Sequence, residues 1–513
     1  MSLLEETERL RKSKADIKKM GEPEEIKKQH ERGKLTARER IALLCDADTF
    51  EESGILTHHT STNPDMKNRK TPADGVICGF GKVGGRPIAI IAYDFTVMAG
   101  SMGIHGEAKV DRMRAWAIER KVPMIWLLDS AGARIQEVAG SQFAGSGALF
   151  KDQVTMSGMV PQIAAVMGPT AAGTSYIAGL ADFVPIVKGI GTMALAGPAL
   201  VQAAIGEKVD IETLGGSKVH SEISGVAHLE CDDDKSCIEA IKTYLSFMPT
   251  NFRDPIPQPA GKNSLELSDE IFQILPDSMR KAYDVKKVIH WLCGGDKKQF
   301  FELQPNWAKS IVVGFARLGG FSVGIVANQP SFLGGALDLN AADKAAHFIN
   351  LCDAYGIPLL FLHDCPGFMV GSKMEHEGII RHGAKMVYAV SRLTVPKISV
   401  VLRKSYGAGY YVMCGKGYDP DLIVAWPGAE ISLMSPEGAV HIISDDETKQ
   451  KEMVERYRKL IGAEMSAQSA LIDDVIDPRE TLKVIVNTLK VLIPKHDFER
   501  SQLANKKHGV SPV

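Results

Sequence analysis

The apolar positions of the chain mark two strands that occur in matching surroundings. Residues 123–128 and 358–362 are continuous apolar runs, which are typical of strands buried on both faces. Each run follows a segment with the apolar periodicity of a helix, at residues 108–120 and 341–355, and each leads into a turn of small residues. The pattern therefore predicts the same helix, strand and turn twice.

The two turns belong to a long internal repeat. They begin at Asp129 and Asp364, which lie 235 residues apart, and the same offset relates residues 79–85 to residues 314–320. Solenoid repeats are only about 20–50 residues long, so this offset indicates two copies of one domain. The alternation of short strands with glycine-rich turns and helices predicts an α/β fold, for which a doubly wound sheet is the default expectation.

The boundaries of the two domains follow from composition. Four prolines lie within residues 249–262 and indicate a linker. We therefore predict one domain at residues 1–258 and another at residues 262–513. Residues 2–45 are charged and have a high helix propensity, with Thr36 as an N-cap and Glu39 three residues on. The first domain therefore carries a helical N-terminal arm, which is either solvated or supplies cations to a ligand phosphate.

Several common ligands and reactions are excluded. The net charge of −2 does not indicate a nucleic-acid partner. The glycines of residues 100–106 have the wrong spacing for a dinucleotide loop, and a phosphate-binding G-x-x-x-x-G-K-[ST] loop is missing. No cysteine pair has the C-x-x-C spacing, and His376–Glu377 is too far from His382 for the H-E-x-x-H spacing of a zinc helix, so we expect no metal site.

The best-placed turns carry backbone and no reactive side chains. Ala131–Gly132 and Ala408–Gly409 are pairs of small residues that follow strands and precede predicted helices. Amides in such turns can direct two N–H groups at one point, which suits the stabilisation of an oxyanion or an enolate. The alternative is that these small residues only allow close packing of strand and helix.

These stretches resemble the carboxyltransferase (beta) subunit of biotin-dependent acyl-CoA carboxylases, the propionyl-CoA carboxylase group. Related alpha subunits belong to methylmalonyl-CoA and glutaconyl-CoA decarboxylases. The resemblance spans roughly residues 5–495, and its matching motifs are residues 34–41, 94–103, 129–137, 327–330, 365–371, 375–385 and 403–409.

The resemblance implies a different fold from the default expectation. It implies two tandem crotonase-like (ClpP/crotonase) domains, each a ββα superhelix, with acyl-CoA on the N-terminal domain and carboxybiotin on the C-terminal domain. It further implies a homo-hexamer, a trimer of dimers or a dimer of trimers, with each active site between domains of two chains.

The resemblance also implies the chemistry. Carboxybiotin releases CO2 and leaves a ureido anion that takes the acyl α-proton, and the resulting enolate attacks CO2. Ala131 and Gly132 would hold the thioester oxygen, and Ala408 and Gly409 the ureido oxygen. Further substrate contacts are implied at Ala133, Arg134, Ala172, Gly173, Gly100, Ser101 and Met102, and further biotin contacts at Phe368, Gly407, Tyr410 and Tyr411. Propionyl-type relatives commonly carry aspartate where this chain has Tyr411, a position that influences acyl selection.

The expected partners follow from what the chain lacks. It has neither a Met-Lys-Met biotin-attachment motif nor an ATP-grasp domain, so biotin is expected on a separate carrier protein that a separate biotin carboxylase loads. With no apolar run of 18 residues and no signal-peptide pattern, we expect a cytoplasmic protein. A membrane would be involved only indirectly, if the chain served a decarboxylase pump.

Three other hypotheses for the function of the chain remain. The same subunit can run in reverse as a biotin-dependent acyl-CoA decarboxylase. The chain can be a non-catalytic crotonase scaffold that binds CoA esters. A hydrolase or isomerase of the crotonase type would need a carboxylate in the acyl pocket, for which Glu137 is the candidate.

Overall fold

The computed structural model describes residues 2–258, 264–443 and 446–512 and divides the chain into two compact units. The first unit runs to Phe252 and also includes Lys506–Pro512, and the second covers Arg253–Asn505. The sequence placed the boundary at residues 258–262. The structure places it earlier, near the start of the predicted linker, of which residues 259–262 lie outside the described part of the chain.

The first unit is built on one sheet. Its strands lie in the order β1-β2-β3-β4-β5-β6-β8, and β7 pairs with β5 beside that path. The first three strands are antiparallel, and all later pairs are parallel. The bounds are β1 Glu51–Ser53, β2 Val76–Val83, β3 Arg86–Tyr93, β4 Met124–Ser130, β5 Gln162–Ala171, β6 Pro185–Val187, β7 Thr192–Ala194 and β8 Leu229–Cys231.

Helices cover this sheet and form the predicted N-terminal arm. The arm consists of the first three helices, and the Thr36 side chain accepts from the Glu39 amide in a capping box, as the sequence predicted. The bounds are α1 Leu3–Ile17, α2 Pro23–Glu31, α3 Ala37–Leu44, α4 Ile104–Arg120, α5 Ile135–Val138, α6 Ala148–Met156, α7 Gly173–Gly179, α8 Pro198–Ile205, α9 Ile211–Gly215 and α10 Asp234–Phe247.

The second unit has the same sheet. Its strands lie in the order β9-β10-β11-β12-β13-β14-β16, and β15 pairs with β13 beside that path. The strand bounds are β9 Phe300–Leu303, β10 Ile311–Leu318, β11 Phe321–Asn328, β12 Leu359–Cys365, β13 Lys397–Tyr406, β14 Leu422–Ala425, β15 Glu430–Ser432 and β16 Asp474–Val475.

The helices of the second unit follow the same plan. The described helices after Arg253 are α11 Ile271–Ile274, α12 Val285–Leu292, α13 Leu339–Tyr355, α14 Ser372–Glu377, α15 Ile379–Ser391, α16 Gly407–Val412, α17 Pro436–Ile443, α18 Glu447–Ile461, α19 Ala463–Gln468 and α20 Thr481–Ser501. In the described ranges no helix is long and apolar enough to cross a membrane.

Matching hairpins show how closely the two units repeat. Gly84 and Gly85 join β2 to β3 with φ of 56° and 77°, and Gly319 and Gly320 join β10 to β11 with φ of 56° and 91°. Positive φ angles at both residues of a two-residue hairpin loop favour glycine, asparagine or aspartate. Behind each hairpin, β4 and β12 are buried along their whole length, so each unit has its own apolar core.

Candidate active site

Two neighbouring strand ends form the candidate site in each unit. In the first unit these are the ends of β4 and β5, and in the second the ends of β12 and β13. The pairing shifts register at the same place in both, before Ser130 and before Cys365. Since parallel strands end at the same edge of a sheet, the two turns in each unit lie side by side.

Ala133 presents an unpaired amide after β4. Met102 donates to the Gly132 carbonyl at 2.8 Å, and Arg134 donates to the Met102 carbonyl at 2.9 Å. In this parallel bridge the N–H of Ala133 itself faces away from Met102, toward the end of β5. Within the described residues the Ala133 amide has no hydrogen-bond partner, and Ala133 is exposed.

The turn after β5 presents a second set of amides. Ala172 donates to the Ala194 carbonyl at 3.0 Å, and Ser175 donates to the Ala172 carbonyl at 3.1 Å. Between them, the amides of Gly173 and Thr174 make no hydrogen bond within the described residues. A Cβ on Gly132 would lie 3.1 Å from the Ala171 carbonyl oxygen, so this turn packs directly against the turn after β4.

The second unit repeats both features. Leu337 donates to the Gly367 carbonyl at 3.1 Å and Met369 donates to the Leu337 carbonyl at 2.8 Å, which leaves the Phe368 amide facing β13. After β13, the amides of Ala408 and Gly409 make no hydrogen bond in the described chain. The offset of 235 residues relates Ala133 to Phe368 and Gly173 to Ala408. Each unit therefore carries a pair of unpaired amides at equivalent positions.

The pair predicted for the first unit is already engaged. Ala131 donates to the Ala99 carbonyl at 2.9 Å, and Gly132 donates to Ser130 Oγ at 3.1 Å. The repeat equates Ala131 with Pro366, which has no amide hydrogen. The amide of this turn that has no partner among the described residues is that of Ala133, which the sequence assigned to the substrate contacts.

The Arg134 side chain is held by hydrogen bonds inside the protein. It is 1% exposed, and its guanidinium donates to Asp74 Oδ1 at 2.6 Å and to Glu137 Oε1 at 3.1 Å. It also donates to the Ser101 hydroxyl and carbonyl at 3.2 Å and 3.0 Å. Glu137 accepts from the Ile104 amide at 2.9 Å, so this carboxylate is committed to structure and not to an acyl pocket.

The loop from Gly100 to Met102 is the support of the first turn. A Cβ on Gly100, whose φ is +62°, would lie 2.2 Å from the Asp129 carbonyl oxygen, so only glycine fits. Ser101 is bonded to Arg134, and Met102 bridges to Ala133. The three residues that the sequence assigned to substrate therefore hold the turn in register.

The residues predicted on the biotin side lie in or beside the turns after β12 and β13. The Phe368 ring packs on Gly383, and Gly407 has a φ of +55°, with 2.9 Å between the position of a Cβ on it and the Leu433 carbonyl oxygen. The Tyr410 hydroxyl accepts from the Lys416 amide at 2.9 Å. Tyr411 is 50% exposed, and its ring centroid lies 6.2 Å from that of Tyr410.

Reactive side chains at these turns are few. Burial raises the pKa of the Cys365 thiol to about 12, so this cysteine behind Gly409 is not a thiolate at neutral pH. The described residues contain no group of three or more His, Cys, Asp or Glu side chains that could hold a metal ion. The chemistry available to the site is hydrogen bonding from the backbone.

A match to a known family explains a site of this kind. A family model described as the carboxyl transferase domain matches residues 28–510. The chain belongs to the carboxyl transferase family. It is an enzyme that transfers a carboxyl group, as its sequence predicted.

Relatives of this carboxyl transferase match it along the whole chain. Methylmalonyl-CoA decarboxylase subunit alpha of Veillonella parvula is 39% identical over 99% of both chains. The carboxyltransferase subunit of propionyl-CoA carboxylase of Haloferax mediterranei is 40% identical over 100% of both. A crystal structure of transcarboxylase 12S with methylmalonyl-coenzyme A and methylmalonic acid bound covers 100% of both chains at 40% identity with a TM-score of 0.94. The predicted pair of crotonase-like domains is confirmed.

Sequence reasoning missed the buried charges behind the turns of the carboxyl transferase. Asp129 is fully buried and binds Lys34 Nζ at 2.7 Å and Arg40 Nη1 at 2.9 Å. Asp364, its equivalent, binds Arg403 Nε at 2.7 Å. Periodicity could not identify these partners, although the motif at residues 34–41 already contained both cations of the first unit.

Proposed function

We propose that this carboxyl transferase moves a carboxyl group between carboxybiotin on a separate carrier protein and the α-carbon, or the vinylogous carbon, of an acyl-CoA. The observation that carries the proposal is the pair of amides without a hydrogen-bond partner in the described chain at the same two strand ends of both units, where Ala133 and Ala408 are exposed and Gly173 and Phe368 are half-buried. Two reactants that each develop negative charge on an oxygen need two such donor pairs, and neither needs a reactive protein side chain.

The first unit would hold the acyl thioester. The amides of Ala133 and Gly173, with Thr174 beside them, would donate to the thioester oxygen as the α-carbon loses its proton. The negative charge of the enolate lies mainly on this oxygen, so the donors bind the enolate more strongly than the ester. The loss of one such donor typically costs about 3–4 kcal/mol of transition-state stabilisation.

The second unit would hold the ureido oxygen of biotin. The amides of Phe368, Ala408 and Gly409 fit this group because they are donors without a partner in the described chain. The side chains of Phe368 and Tyr411, which lie beside them, are partly exposed to solvent. When bound, carboxybiotin supplies CO2 and the base that takes the acyl α-proton. The protein contributes position and charge stabilisation and exchanges no proton of its own.

The same donors serve either direction of transfer. Enolate and ureido anion form in carboxylation and in decarboxylation alike, so both pairs stabilise the step both ways. The relatives carry both activities in their names, a carboxylase subunit and a decarboxylase subunit. Direction is therefore set by the other components, which we propose to be a biotin carrier with either a biotin carboxylase or, in a decarboxylase, a membrane pump.

Exposed apolar side chains around both turns support an oligomer. Four positions in the first unit have apolar counterparts in the second, and all eight side chains are at least 50% exposed. Three extra residues between β13 and β15 change the offset to 238 for the later two pairs. The pairs are Ile135 with Val370, Tyr176 with Tyr411, Leu195 with Leu433, and Ile205 with Ile443.

Clusters of exposed apolar side chains normally mark surfaces that another protein chain or a ligand covers. The transcarboxylase 12S structure is a hexamer. We propose that this chain also forms a homo-hexamer in the cytoplasm, in which the first unit of one copy faces the second unit of another. Each complete site would then combine both donor pairs.

Decarboxylation with free biotin tests the proposal. Purified protein would be incubated with free biotin and a panel of malonyl-, methylmalonyl-, ethylmalonyl-, methylglutaconyl- and glutaconyl-CoA, and the loss of each ester followed by chromatography. We expect biotin-dependent turnover of at least one ester, with methylmalonyl-CoA the first candidate. Calorimetric binding of these esters without any turnover, even with a carrier protein present, would instead indicate the non-catalytic scaffold.

A further inference from the structure

A single buried carboxylate ties the N-terminal arm to the first donor pair. Asp129 lies on β4, just before the turn that presents Ala133, and is 0% exposed. All three of its side-chain partners come from the arm. They are Lys34 Nζ at 2.7 Å, Arg40 Nη1 at 2.9 Å and Gln29 Nε2 at 3.0 Å.

Arg40 connects both strands of the site. Besides Asp129 on β4, its guanidinium donates to the Met167 carbonyl on β5 at 2.8 Å. Its Nε donates to Asp234 Oδ2 at 2.8 Å, an oxygen that also accepts from the Leu35 amide. Two cations therefore neutralise two buried carboxylates, and one guanidinium fixes β4 relative to β5, whose ends carry Ala133 and Gly173.

In the second unit the equivalent buried carboxylate, Asp364, has a counter-ion that does not come from an N-terminal arm. Asp364 is held by Arg403 from the neighbouring strand β13 at 2.7 Å. The strand registers Ser130 with Thr170 and Cys365 with Ser405 make Gly168 the counterpart of Arg403. A Cβ on Gly168 would lie 1.9 Å from Asp129 Oδ1 and 2.9 Å from Lys34 Nζ. The glycine thus leaves room for the arm to supply the charge that β13 supplies in the second unit.

We propose that Lys34 and Arg40 are positioning residues that hold the acyl-CoA donor pair in register through Asp129. The inference rests on the proposed function, because it assigns Ala133 and Gly173 to the thioester oxygen. Without the arm's charges Asp129 is a buried anion with no counter-ion in its own sheet, and the end of β4 must shift to hydrate it. Such a shift misdirects the Ala133 amide but leaves the second unit intact.

The structure suggests a matched set of variants. Lys34→Met removes one charge at nearly constant volume, and Lys34→Arg restores it. Arg38→Met is the control, because Arg38 lies on helix α3 with Arg40, four residues after Lys34, and pairs with a carboxylate, Glu52 at 2.9 Å, away from Asp129. The double variant Lys34→Met/Asp129→Asn removes the buried ion pair without leaving an unpaired charge, which protects the test against a folding failure.

The readout is the vibration of the bound thioester carbonyl. Infrared difference spectra would be recorded with propionyl-CoA that carries carbon-13 at the carbonyl, bound to the intact oligomer. Hydrogen bonds from the donor pair lower the stretching frequency, and a purely structural role of Lys34 would not change this shift in protein that remains folded. We expect the wild-type shift in Arg38→Met and in Lys34→Arg, and a reduced shift in Lys34→Met.

Kinetics should follow the spectrum. For Lys34→Met we expect kcat of biotin-dependent decarboxylation to fall about tenfold or more, with the KM for free biotin unchanged. In the Asp129→Asn background, Lys34→Met should cost little further, because both act through one carboxylate. A full carbonyl shift in Lys34→Met would overturn the role of the arm alone. A wild type without any shift would overturn the donor assignment itself.

Discussion

Ala133 and Phe368 occupy the same place in the two units. Each forms a parallel bridge, Ala133 with Met102 and Phe368 with Leu337, in which the two backbone hydrogen bonds are made by the residues on either side of it. The N–H groups of Ala133 and Phe368 themselves therefore point away from the bridge partner. We propose that this duplicated arrangement serves two different oxygens, that of the acyl thioester in the first unit and that of biotin in the second.

Removing one amide hydrogen at the second turn should abolish transfer selectively. Ala408 is the second residue of helix α16, in the first turn, where proline is tolerated, and Gly407 before it has no Cβ to clash with the proline ring. For Ala408→Pro we expect a loss of about 10²–10³ in kcat of decarboxylation with free biotin. Calorimetric affinity for the acyl-CoA should stay near wild type, because we propose that the first unit holds that ligand.

Ala408→Gly keeps the amide and is the matched control for this variant. It should retain most of the activity. Equal losses in both variants would mean that the Ala408 methyl group, and not its N–H, matters.

Local patterns predicted much of this fold, and long-range register explains what they missed. The apolar runs predict the strands β4 and β12, the spacing of Thr36 and Glu39 predicts the cap, and the constant offset of 235 residues predicts the repeat. Which amide stays free depends on how Met102 pairs with Ala133, which no local pattern specifies. The sequence did hold one signal, since the offset that defines the repeat places Pro366 opposite Ala131.

The charge network behind the first turn was beyond such reasoning for another reason. Lys34 and Asp129 are 95 residues apart in sequence and meet only in the folded unit. Arg134 is the reverse case. Its place in a motif suggested a ligand contact, but three neighbouring groups, Asp74, Glu137 and Ser101, use its donors inside the protein.

The glycines that support the two turns should tolerate no side chain. A Cβ at Gly100 would lie 2.2 Å from the Asp129 carbonyl oxygen, and one at Gly335 would lie 2.4 Å from the Asp364 carbonyl oxygen. Both residues have positive φ, so alanine adds strain to the clash. We expect each alanine variant to lower the free energy of unfolding by roughly 1–3 kcal/mol and to reduce turnover.

Gly334→Ala is the control for these two variants. Gly334 has a φ of +62° but no heavy atom within 4 Å of its Cβ position, so it isolates the strain from the clash. Denaturant titration should show a smaller loss than for Gly335→Ala. An equal loss would mean that the close approach to Asp364 is unimportant.

Glu107 should make the stability of the first unit depend on pH. Burial raises the pKa of this carboxyl from 4.5 to about 7, although Tyr93 donates to it at 3.0 Å. The folded state then holds a proton that the unfolded state has already lost. Stability from this group is therefore greatest below about pH 4.5, falls as the pH rises to about 7, and is constant above that.

Glu107→Gln should remove this dependence. Denaturant titrations at pH 5 and pH 8 should show the variant to be more stable than the wild type at pH 8, by on the order of 2 kcal/mol, and similar to it at pH 5. The same pH dependence in both proteins would show that Glu107 does not carry the effect.

Tyr411 should limit the size of the acyl group. The half-exposed ring lies beside the second donor pair, among Tyr410 and Tyr418. For Tyr411→Ala we expect kcat/KM for ethylmalonyl-CoA to rise relative to that for malonyl-CoA, because volume is removed beside the donor pair that we propose for biotin, where the acyl chain would approach it. Tyr388→Ala, an exposed tyrosine on α15, should leave the ratio unchanged. A ratio unaffected by both variants would place acyl selection elsewhere.

The central claim is tested most directly by a structure with an acyl-CoA and biotin bound. The account predicts the thioester oxygen at about 2.7–3.1 Å from the amide nitrogens of Ala133 and Gly173, and the ureido oxygen at similar distances from those of Phe368 and Ala408. A thioester oxygen held by side chains, or by the amides of Ala131 and Gly132 after a rearrangement of the turn, would contradict it.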